Sequence, residues 1–312
     1  MAFSKKISVI AFTFLAFIFI CLAADYIITN KFTVTSPYST CNKVNRLFNE
    51  NHEGEIPVFG SSRVEKGYFC DSLGNNFYNY GMPNASFDVI RLLLEPELQK
   101  NKTGPILIDV HHGFFDHDPY ENINIETFLP FINTNESIKQ FLVENGRFNR
   151  YQQIMGIRYF GFYTGYLKPF VEKRFEIDDN FYDNGGVFNT KVSNTASLQK
   201  RVSARMSKKL HFTYDKSSDS TLLNLINTNP GRRFVFVLSP YHSSAKQTLD
   251  NFDAMINYFS ALDKQFDNAD FIFLPTDDYS DNLWKDTIHL NIFGAKKFSA
   301  ELRNELKSKI II

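Results

Sequence analysis

The chain is short of cysteine and of net charge. Its 312 residues include three cysteines, and 34 Lys and Arg residues balance 34 Asp and Glu residues. A net charge of zero gives no basis for nucleic-acid binding, so no nucleic-acid partner is expected. Low-complexity segments and internal repeats are also lacking, and a hydrophobic content of 43% is too high for a disordered chain. These features predict a globular domain with ample material for a core.

A long hydrophobic run lies close to the N-terminus. Residues 7–24 carry no charge, and a helix of about eighteen residues reaches roughly 27 Å, enough to cross the bilayer core. Lys5 and Lys6 before the run, with Asp25 after it, predict a single-pass anchor in the cytoplasmic membrane with its N-terminus inside. The rest of the chain is then periplasmic or extracellular. A cleaved signal peptide is the alternative, although Leu22-Ala23-Ala24 is a poor cleavage site.

A short apolar run from Ile56 to Phe59 ends abruptly at Gly60-Ser61-Ser62. Short apolar runs bounded by turn residues indicate a buried strand of a parallel sheet. Because ligands bind at the carboxyl ends of strands in open α/β sheets, Ser62 is expected at the lip of a crevice. The alternative is that the two serines only form a turn and cap the next helix.

Further apolar runs alternate with helical periodicity along the chain. Helical spacing predicts a helix over Phe87–Leu98, for example, and another over Phe252–Phe266. The predicted strands are Ile56–Phe59, Phe77–Tyr80, Pro105–Val110, Arg233–Leu238 and Phe271–Leu274. This alternation predicts an α/β domain with a parallel sheet of about five strands.

The predicted organisation is an anchor at residues 1–25, a connector at 26–54 and an α/β domain at 55–312. Between the third and fourth strands, nearly a hundred residues, from about 121 to 218, are too many for a simple crossover and are predicted to form an inserted helical cap. Its aromatic residues form either the core of the cap or a sugar-binding or membrane-facing surface.

Short patterns predict the structure of two segments of the cap, and the state of two cysteines outside it stays open. Within the cap, residues 178–186 are interpreted as a polar loop, and residues 200–209 as a basic helix. Outside it, Cys41 and Cys70 either form one disulfide or remain buried thiols.

A second polar stretch, Asp286-Thr287-Ile288-His289, lies near the C-terminus. An aspartate three residues before a histidine can lie on the same side of one turn. Its carboxylate can then accept a hydrogen bond from one ring nitrogen and leave the other free as a base. The alternative is a surface aspartate beside a histidine that caps the following helix.

Together, these stretches resemble the SGNH (GDSL-like) hydrolase superfamily, whose first block is Gly-Asp-Ser and whose last block is Asp-x-x-His. Gly60-Ser61-Ser62 matches the first block with serine in place of aspartate, and Asp286-x-x-His289 matches the last. The segment Phe77–Ser86 is similar to the second block. The third block, Gly-x-Asn-Asp, is replaced by His111-His112-Gly113. The Gly-Ser-Ser-Arg variant behind an anchor most resembles the cell-envelope branch, which includes the alginate O-acetylation proteins and the teichoic-acid D-alanylation protein.

The resemblance implies a three-layer α/β/α fold, similar to that of flavodoxin, and a serine-dependent esterase or O-acetyltransferase acting on an envelope glycan. Ser62 is then the nucleophile, His289 is the base, and Asp286 orients the imidazole. No cofactor and no metal are required by this chemistry. A membrane-bound acyl-transfer protein is a further expected partner.

The same resemblance identifies groups that would bind the oxyanion and the substrate. The backbone N–H groups of Ser62 and Gly81 would bind the oxyanion, and Asn84 or His112 would replace the missing third-block donor. Tyr241 and His242 follow the fourth predicted strand, so they are expected at the same edge of the sheet, in contact with substrate.

Two other functions are consistent with the sequence. The stretch from His111 to Asp118 contains three histidines and two aspartates, which would suit a metal-dependent hydrolase. A catalytically inactive scaffold that binds glycan or an export-complex partner is consistent with the departures at Ser61 and in the third block. The retained Ser62, Asp286 and His289 favour catalysis over both.

Overall fold

The computed structural model of the chain describes residues 2–34, 36, 39–162, 180–190 and 210–312. The chain forms two compact units. The N-terminal unit comprises residues 1–49 and 124–178, and the sheet unit comprises residues 50–123 and 179–312. The predicted boundaries of anchor, connector and cap stay predictions.

The strands of the described residues all belong to the sheet unit. In chain order they are β1 (Ile56–Phe59), β2 (Phe77–Asn79), β3 (Ile106–Val110), β4 (Asn180–Asp183), β5 (Gly186–Asn189), β6 (Phe234–Leu238) and β7 (Ala269–Phe273). Five of them form one sheet in the order β2-β1-β3-β6-β7, and each neighbouring pair is parallel. The predicted α/β class and the parallel sheet of about five strands are confirmed.

This strand order decides where a ligand crevice can lie. Numbered among themselves, the five strands follow the order 2-1-3-4-5, which is common among open α/β sheets. In such sheets, the crevice opens at the carboxyl ends of the two strands between which the order reverses, here β1 and β3. The turn after β1 therefore carries Ser62 to this position, and the turn after β3 carries the His111-His112-Gly113 segment.

The central strands form the core of the sheet unit. β1, β3 and β6 are buried along their whole length, which explains their nearly continuous apolar sequences. Asp109 in β3 is the charged residue within these three strands. β7 begins two residues earlier than predicted, because Asp270 pairs with Arg233 at 2.6 Å and keeps a polar residue in the strand.

The α-helices of the described residues occur in both units. They are α1 (Ala2–Ile27), α2 (Thr40–Asn49), α3 (Ser62–Gly67), α4 (Cys70–Leu73), α5 (Phe87–Leu98), α6 (Pro119–Asn122), α7 (Ile125–Phe128), α8 (Glu136–Glu144), α9 (Lys216–Thr228), α10 (Ser243–Lys246), α11 (Phe252–Gln265) and α12 (Ile292–Ser308).

Helix α12 packs against the segment that follows β1. The rings of Tyr68 and Phe298 lie 5.3 Å apart, edge to face, and both side chains are fully buried. The N–H of Phe69 donates to Ser299 Oγ at 2.8 Å. This packing holds the C-terminal helix beside α3, and it thereby brings the segments before α12 and at the start of α3 together.

Helix α1 belongs to the N-terminal unit and is long and apolar enough to cross a membrane. Within the segment Lys6–Lys31, the most apolar window of 18 residues has a mean hydropathy of 2.7. The predicted apolar helix is therefore present. Its buried Asp25 forms an ion pair with Arg158 of the same unit, at 2.6 Å.

The residues predicted as a cap include a β-hairpin. α7 and α8 are helical as expected, but β4 and β5 pair antiparallel. The interpretation of residues 178–186 as a polar loop is therefore wrong for its described part. Asn184 and Gly185 at the turn have φ of 38° and 85°, and a two-residue hairpin turn of type I′ requires a positive φ at both residues. Residues 163–179 and 191–209, with the whole of the predicted basic helix at 200–209, lie outside the described residues.

The cysteines outside α1 form no disulfide. Cys41 and Cys70 are both free thiols and both buried. Burial raises the pKa of Cys41 to about 12, so this thiol stays protonated and unreactive at neutral pH.

Candidate active site

Ser62 is the first residue of α3 and lies directly beyond the carboxyl end of β1. Gly60 permits the sharp turn, because an added Cβ would come within 2.4 Å of the Val64 side chain and 2.7 Å of Asp109 Cβ. Ser61 caps α3, since its Oγ accepts a hydrogen bond from the N–H of Arg63. The capping role thus belongs to Ser61 and not to Ser62.

The Ser62 side chain contacts His289. Ser62 Oγ lies 2.9 Å from His289 Nε2, and His289 Nδ1 lies 2.9 Å from Asp286 Oδ2. Asp286 Oδ1 accepts hydrogen bonds from the N–H groups of Ile288 and His289, each at 3.0 Å. Asn291, rather than His289, caps α12. A serine, a histidine and an aspartate are therefore linked in the order that nucleophilic catalysis requires.

The protonation states of this array follow from its contacts. Burial favours the neutral form of Asp286, but the hydrogen bond and charge of His289 and two backbone N–H groups outweigh it and hold the pKa of Asp286 well below its ordinary value. Burial lowers the pKa of His289 and outweighs the Asp286 carboxylate, which raises it. At neutral pH the carboxylate is therefore charged and the imidazole is neutral, the state in which it can accept a proton.

A pocket of about 460 Å³ opens beside Ser62. It lies within the sheet unit, at the carboxyl ends of β1, β2 and β3, and its walls are mostly polar. The lining residues are Ser61, Ser62, Arg63, Asn84, His111, His112, Gly113, Asp116, Tyr120, Glu121, Asn122 and Ile288. This is the position that the strand order predicts for a ligand crevice.

Asn84 and His112, the predicted replacements for the third-block donor, both line this pocket. Asn84 is exposed and has a φ of +61°, a conformation that asparagine tolerates better than most residues. The N–H of His112 donates to the hydroxyl of Tyr241 at 3.1 Å, and its Nδ1 lies 3.0 Å from the same oxygen. These contacts with Tyr241 fix the orientation of the His112 ring through Nδ1 and do not involve Nε2.

Gly81 is placed differently from its predicted role. Its N–H donates to Asn79 Oδ1 at 3.0 Å, and Gly81 does not line the pocket. The fully buried Asn79 also donates to the carbonyl groups of Val64 and Tyr68. Asn79 thus ties the turn after β2 to α3, and the geometry does not support Gly81 as an oxyanion donor.

Tyr241 and His242 also lie outside the pocket lining. Tyr241 is buried, and it contacts His112 rather than the open pocket. His242 caps α10 through Nδ1, and its Nε2 lies 3.2 Å from Asp281. The N–H of His242 donates to the carbonyl of Thr287, so this residue supports the turn that carries Asp286 and His289. Substrate contact by these two residues is therefore not supported.

A buried charged cluster beneath Ser62 is absent from the sequence-based predictions. Arg63 is 4% exposed, lies 3.8 Å from the Tyr241 ring centre and donates to the carbonyl groups of Ser239 and Pro240. Asp109 accepts hydrogen bonds from Tyr68 and Ser239. Burial raises the pKa of Asp109 to about 6, although the charge of Arg63 opposes the rise.

Several atoms of this cluster have no hydrogen-bond partner. They are Arg63 Nε and Nη1, Asp109 Oδ2 and His111 Nδ1. His111 Nδ1 lies 3.9 Å from Asp109 Oδ2, too far for a hydrogen bond. Burial and the charges of His112 and Arg63 lower the pKa of His111 well below its ordinary value, so its imidazole is neutral. A lone aspartate in an apolar strand was the signal in the sequence that could have revealed the cluster.

The stretch from His111 to Asp118 does not converge on one point. His117 instead contacts Asp88 at 2.8 Å and Asp215 at 3.3 Å. Among the described residues, no group of three or more histidine, cysteine or acidic side chains is arranged to hold a metal ion. The arrangement therefore gives no support to the metal-dependent hydrolase.

Comparisons with known proteins do not assign the chain to a family. No model of a known protein family matches it, and no curated protein sequence matches it either. The resemblance to the SGNH superfamily stays a prediction that depends on the quoted motifs. Inferences about function therefore depend on the geometry around Ser62.

Proposed function

We propose that this protein is a serine-dependent acyl-transfer enzyme that acts through an acyl-Ser62 intermediate. The observation that carries the proposal is the continuous chain of hydrogen bonds from Ser62 through His289 to Asp286, at the edge of a polar pocket. The segments come from distant parts of the sequence, 227 residues apart for Ser62 and His289. A surface histidine meeting a serine by chance would not also have its second nitrogen on a charged carboxylate.

In this mechanism, Ser62 Oγ attacks the acyl carbonyl while its proton passes to His289 Nε2. The leaving group takes that proton, and the acyl group stays on Ser62. An acceptor oxygen then attacks the ester, gives its proton to His289, and Ser62 Oγ recovers it as the ester bond breaks. Asp286 keeps the imidazole in the correct tautomer and stabilises its charged form.

The oxyanion needs donors beyond the triad. The first N–H groups of a helix have no partner within the helix, which leaves the N–H of Ser62 available at the start of α3. We assign the second donor to the Asn84 amide, because Asn84 lines the pocket whereas Gly81 does not. Removing one such donor typically costs about 10²–10³-fold in rate. Asn84→Ala should therefore slow acylation by about this factor, and Asn84→Asp should not restore it.

The substrate in this proposal is an O-acylated glycan of the cell envelope, bound by an SGNH-like α/β/α domain that α1 anchors on the outer face of the cytoplasmic membrane. The pocket is supplied with Asp116, Glu121 and Asn122 as acceptors for hydroxyl groups, and with the exposed Tyr120 ring. Polar groups beside an aromatic face are a suitable surface for a sugar. The acyl group is supplied by the glycan itself or by a membrane-bound partner.

Labelling with a fluorophosphonate probe tests the activated serine. The full chain in detergent should be labelled once, at Ser62, and Ser62→Ala and His289→Ala should abolish labelling. Ser61→Ala and His117→Ala are the matched controls, because one removes the serine next to Ser62 and the other removes a histidine that pairs with Asp88 and Asp215, and neither residue belongs to the array. These two variants should retain labelling.

Esterase and transferase activities are separated by the fate of the acyl group. Incubation with an activated acetyl ester should give acetyl-Ser62, detected by intact mass. Addition of an oligosaccharide acceptor then either produces an acetylated sugar or leaves only acetate. Both outcomes are consistent with acyl transfer, whereas no acetyl-enzyme in folded protein would contradict it.

The second candidate is a catalytically inactive scaffold that binds glycan or an export partner. The engagement of the Gly81 N–H by Asn79 favours it, because one predicted oxyanion donor is occupied. In that case, a folded sample would bind oligosaccharide in the Ser62 pocket and show neither labelling nor acetyl-enzyme.

A further inference from the structure

A segment of the N-terminal unit exposes a set of large apolar side chains. This segment, residues 151–162, is called the apolar loop here. Its exposed side chains, with their exposed fractions, are Tyr151 (69%), Ile154 (49%), Met155 (57%), Ile157 (41%) and Phe160 (80%). So many neighbouring apolar side chains facing outward on one short segment indicate a surface that is covered by something.

The apolar loop is attached to the outer end of α1. Gly156 has a φ of +93°, and an added Cβ would lie 3.0 Å from Cys21 Cβ, so its backbone packs directly on the last part of the apolar run. Further along the loop, Tyr159 contacts Thr29 at 2.7 Å. The loop therefore contacts the chain from Cys21 in α1 to Thr29, just beyond the end of α1 at Ile27, across the level at which the apolar sequence ends.

The polar groups at this attachment are satisfied internally. Arg158 is the charged residue of the loop, and it is 7% exposed. Its guanidinium contacts both oxygens of Asp25, at 2.6 and 2.9 Å, and donates to Thr29 Oγ1 at 2.7 Å. The N–H of Gly156 also donates to Asp25. The outward face of the loop thus carries no charge that would oppose entry into an apolar phase.

We propose that the apolar loop inserts into the leaflet at the C-terminal end of α1 and holds the N-terminal unit against the membrane. The occupant of the exposed face is lipid, because the loop is continuous with the apolar surface of α1 and packs on a residue within that run. Apolar side chains at such a boundary are typically buried about 5–10 Å into the interface. The proposal goes beyond acyl transfer and rests only on α1 spanning the membrane.

Tryptophan fluorescence tests this placement, because the chain contains one tryptophan, the fully buried Trp284 of the sheet unit. The full-length variant Met155→Trp is reconstituted into phosphatidylcholine vesicles with or without bromine on the lipid acyl chains. The wild-type signal from Trp284 is subtracted. We expect blue-shifted emission and strong quenching by the brominated lipid.

Two further variants define the scale of that result. Phe17→Trp places the reporter on the exposed apolar surface of α1 and should be quenched if the helix is inserted. Val143→Trp places it at a similarly exposed apolar position (52%) on α8, next to Glu144, and should not be quenched. Quenching of Met155→Trp close to that of Phe17→Trp would support the proposal.

Two results would overturn the proposal. Met155→Trp that behaves like Val143→Trp while Phe17→Trp is quenched shows that α1 is inserted and the loop is not, which leaves a protein partner as the occupant. If Phe17→Trp is unquenched as well, α1 does not span the bilayer and the loop has no lipid beside it. Neither result bears on fluorophosphonate labelling of Ser62, so failure of this proposal and failure of acyl transfer are distinguishable.

Discussion

Two carboxyl groups of the sheet unit, the half-buried Asp286 and the fully buried Asp109, have opposite electrostatic environments. Asp286 accepts two backbone hydrogen bonds and contacts the His289 ring, and its pKa lies below its ordinary value. Asp109 Oδ1 accepts hydrogen bonds from two hydroxyl groups, whereas Oδ2 has no hydrogen-bond partner, and burial raises the pKa of Asp109 to about 6. Donors aimed at the charged form thus decide whether a buried carboxyl stays ionised.

Because of this difference, we expect Asp286 to act in catalysis and Asp109 to affect the stability of the fold. Asp286 holds its charge for catalysis, because an ionised partner is needed to stabilise the imidazolium of His289. Asp109 lies beneath the site and shares its surroundings with Arg63, so its charge affects the stability of the fold more than the reaction. Substitutions of the two residues by asparagine should therefore have opposite consequences.

The largest effect is expected for Asp286→Asn. Loss of the charged partner leaves His289 in the wrong tautomer, so the rate of acylation should fall by about 10⁴-fold. The rate of fluorophosphonate labelling measures it, with Asp281→Asn as the control, because Asp281 contacts His242 and not the triad. A loss below tenfold would show that Asp286 does not orient the base.

Asp109→Asn should raise stability at neutral pH. The folded-state pKa of about 6 exceeds the ordinary 3.8, so the contribution of Asp109 to stability is fully present below 3.8 and is lost as the pH rises through about 6. Asparagine keeps an acceptor for Tyr68 and Ser239 and has no charge to bury. The gain should reach roughly 3 kcal/mol above pH 7 and vanish near pH 4.

Thermal unfolding of the full chain, followed by the fluorescence of Trp284, measures this gain when the wild type and Asp109→Asn are compared from about pH 4 to above pH 7. The comparison between the two proteins cancels the contribution of His289, whose lowered pKa makes stability rise with pH. An Asp109→Asn protein that is less stable than the wild type at pH 7 would show instead that Arg63 requires the carboxylate.

The pH dependence of labelling should follow His289 alone. Its folded-state pKa lies below 6.5, so labelling should be constant from neutral pH down to below that value and then fall about tenfold per pH unit. Asp109→Asn should give the same profile, because Asp109 does not touch the reacting atoms. A step near pH 6 that disappears in this variant would place Asp109 in the catalytic machinery.

The smallest effect is expected for Tyr68→Phe. This change removes the hydroxyl that donates to Asp109 at 3.0 Å and should cost about 1 kcal/mol at neutral pH, with labelling unchanged. Tyr279→Phe is a suitable control, since its hydroxyl contacts Glu301 on α12. An unaltered unfolding temperature would indicate that Ser239 alone satisfies Oδ1 of Asp109.

The parts of the fold that follow from local pattern were predictable. β1 and α5 have the predicted bounds, because Gly60 ends the strand and a regular apolar spacing marks the helix. The contact between Asp286 and His289 could also be predicted, because the two residues lie within one turn of the chain. Ser62 could be joined to them only through the resemblance, because no local pattern links residues 227 positions apart.

The features that were missed depend on long-range contacts or on overlooked turn chemistry. Arg63 contacts carbonyl groups of Ser239 and Pro240, and single residues without periodicity do not reveal such partners. The hairpin of β4 and β5 was overlooked although Asn184-Gly185 is a strong signal for one. The role of Asn79 in joining the turn after β2 to α3 depends on its contacts with the carbonyl groups of Val64 and Tyr68, which are 15 and 11 residues away in sequence.

The nucleophile follows the first strand in the sequence and its base follows the last, Ser62 after β1 and His289 after β7. Such long-range pairings are typically completed late in folding. The rate at which Ser62 becomes reactive towards a covalent probe would therefore report on the last stage of folding. A pulse of probe applied to a refolding or newly synthesised chain would record the moment at which the C-terminal helix closes on the rest of the sheet unit.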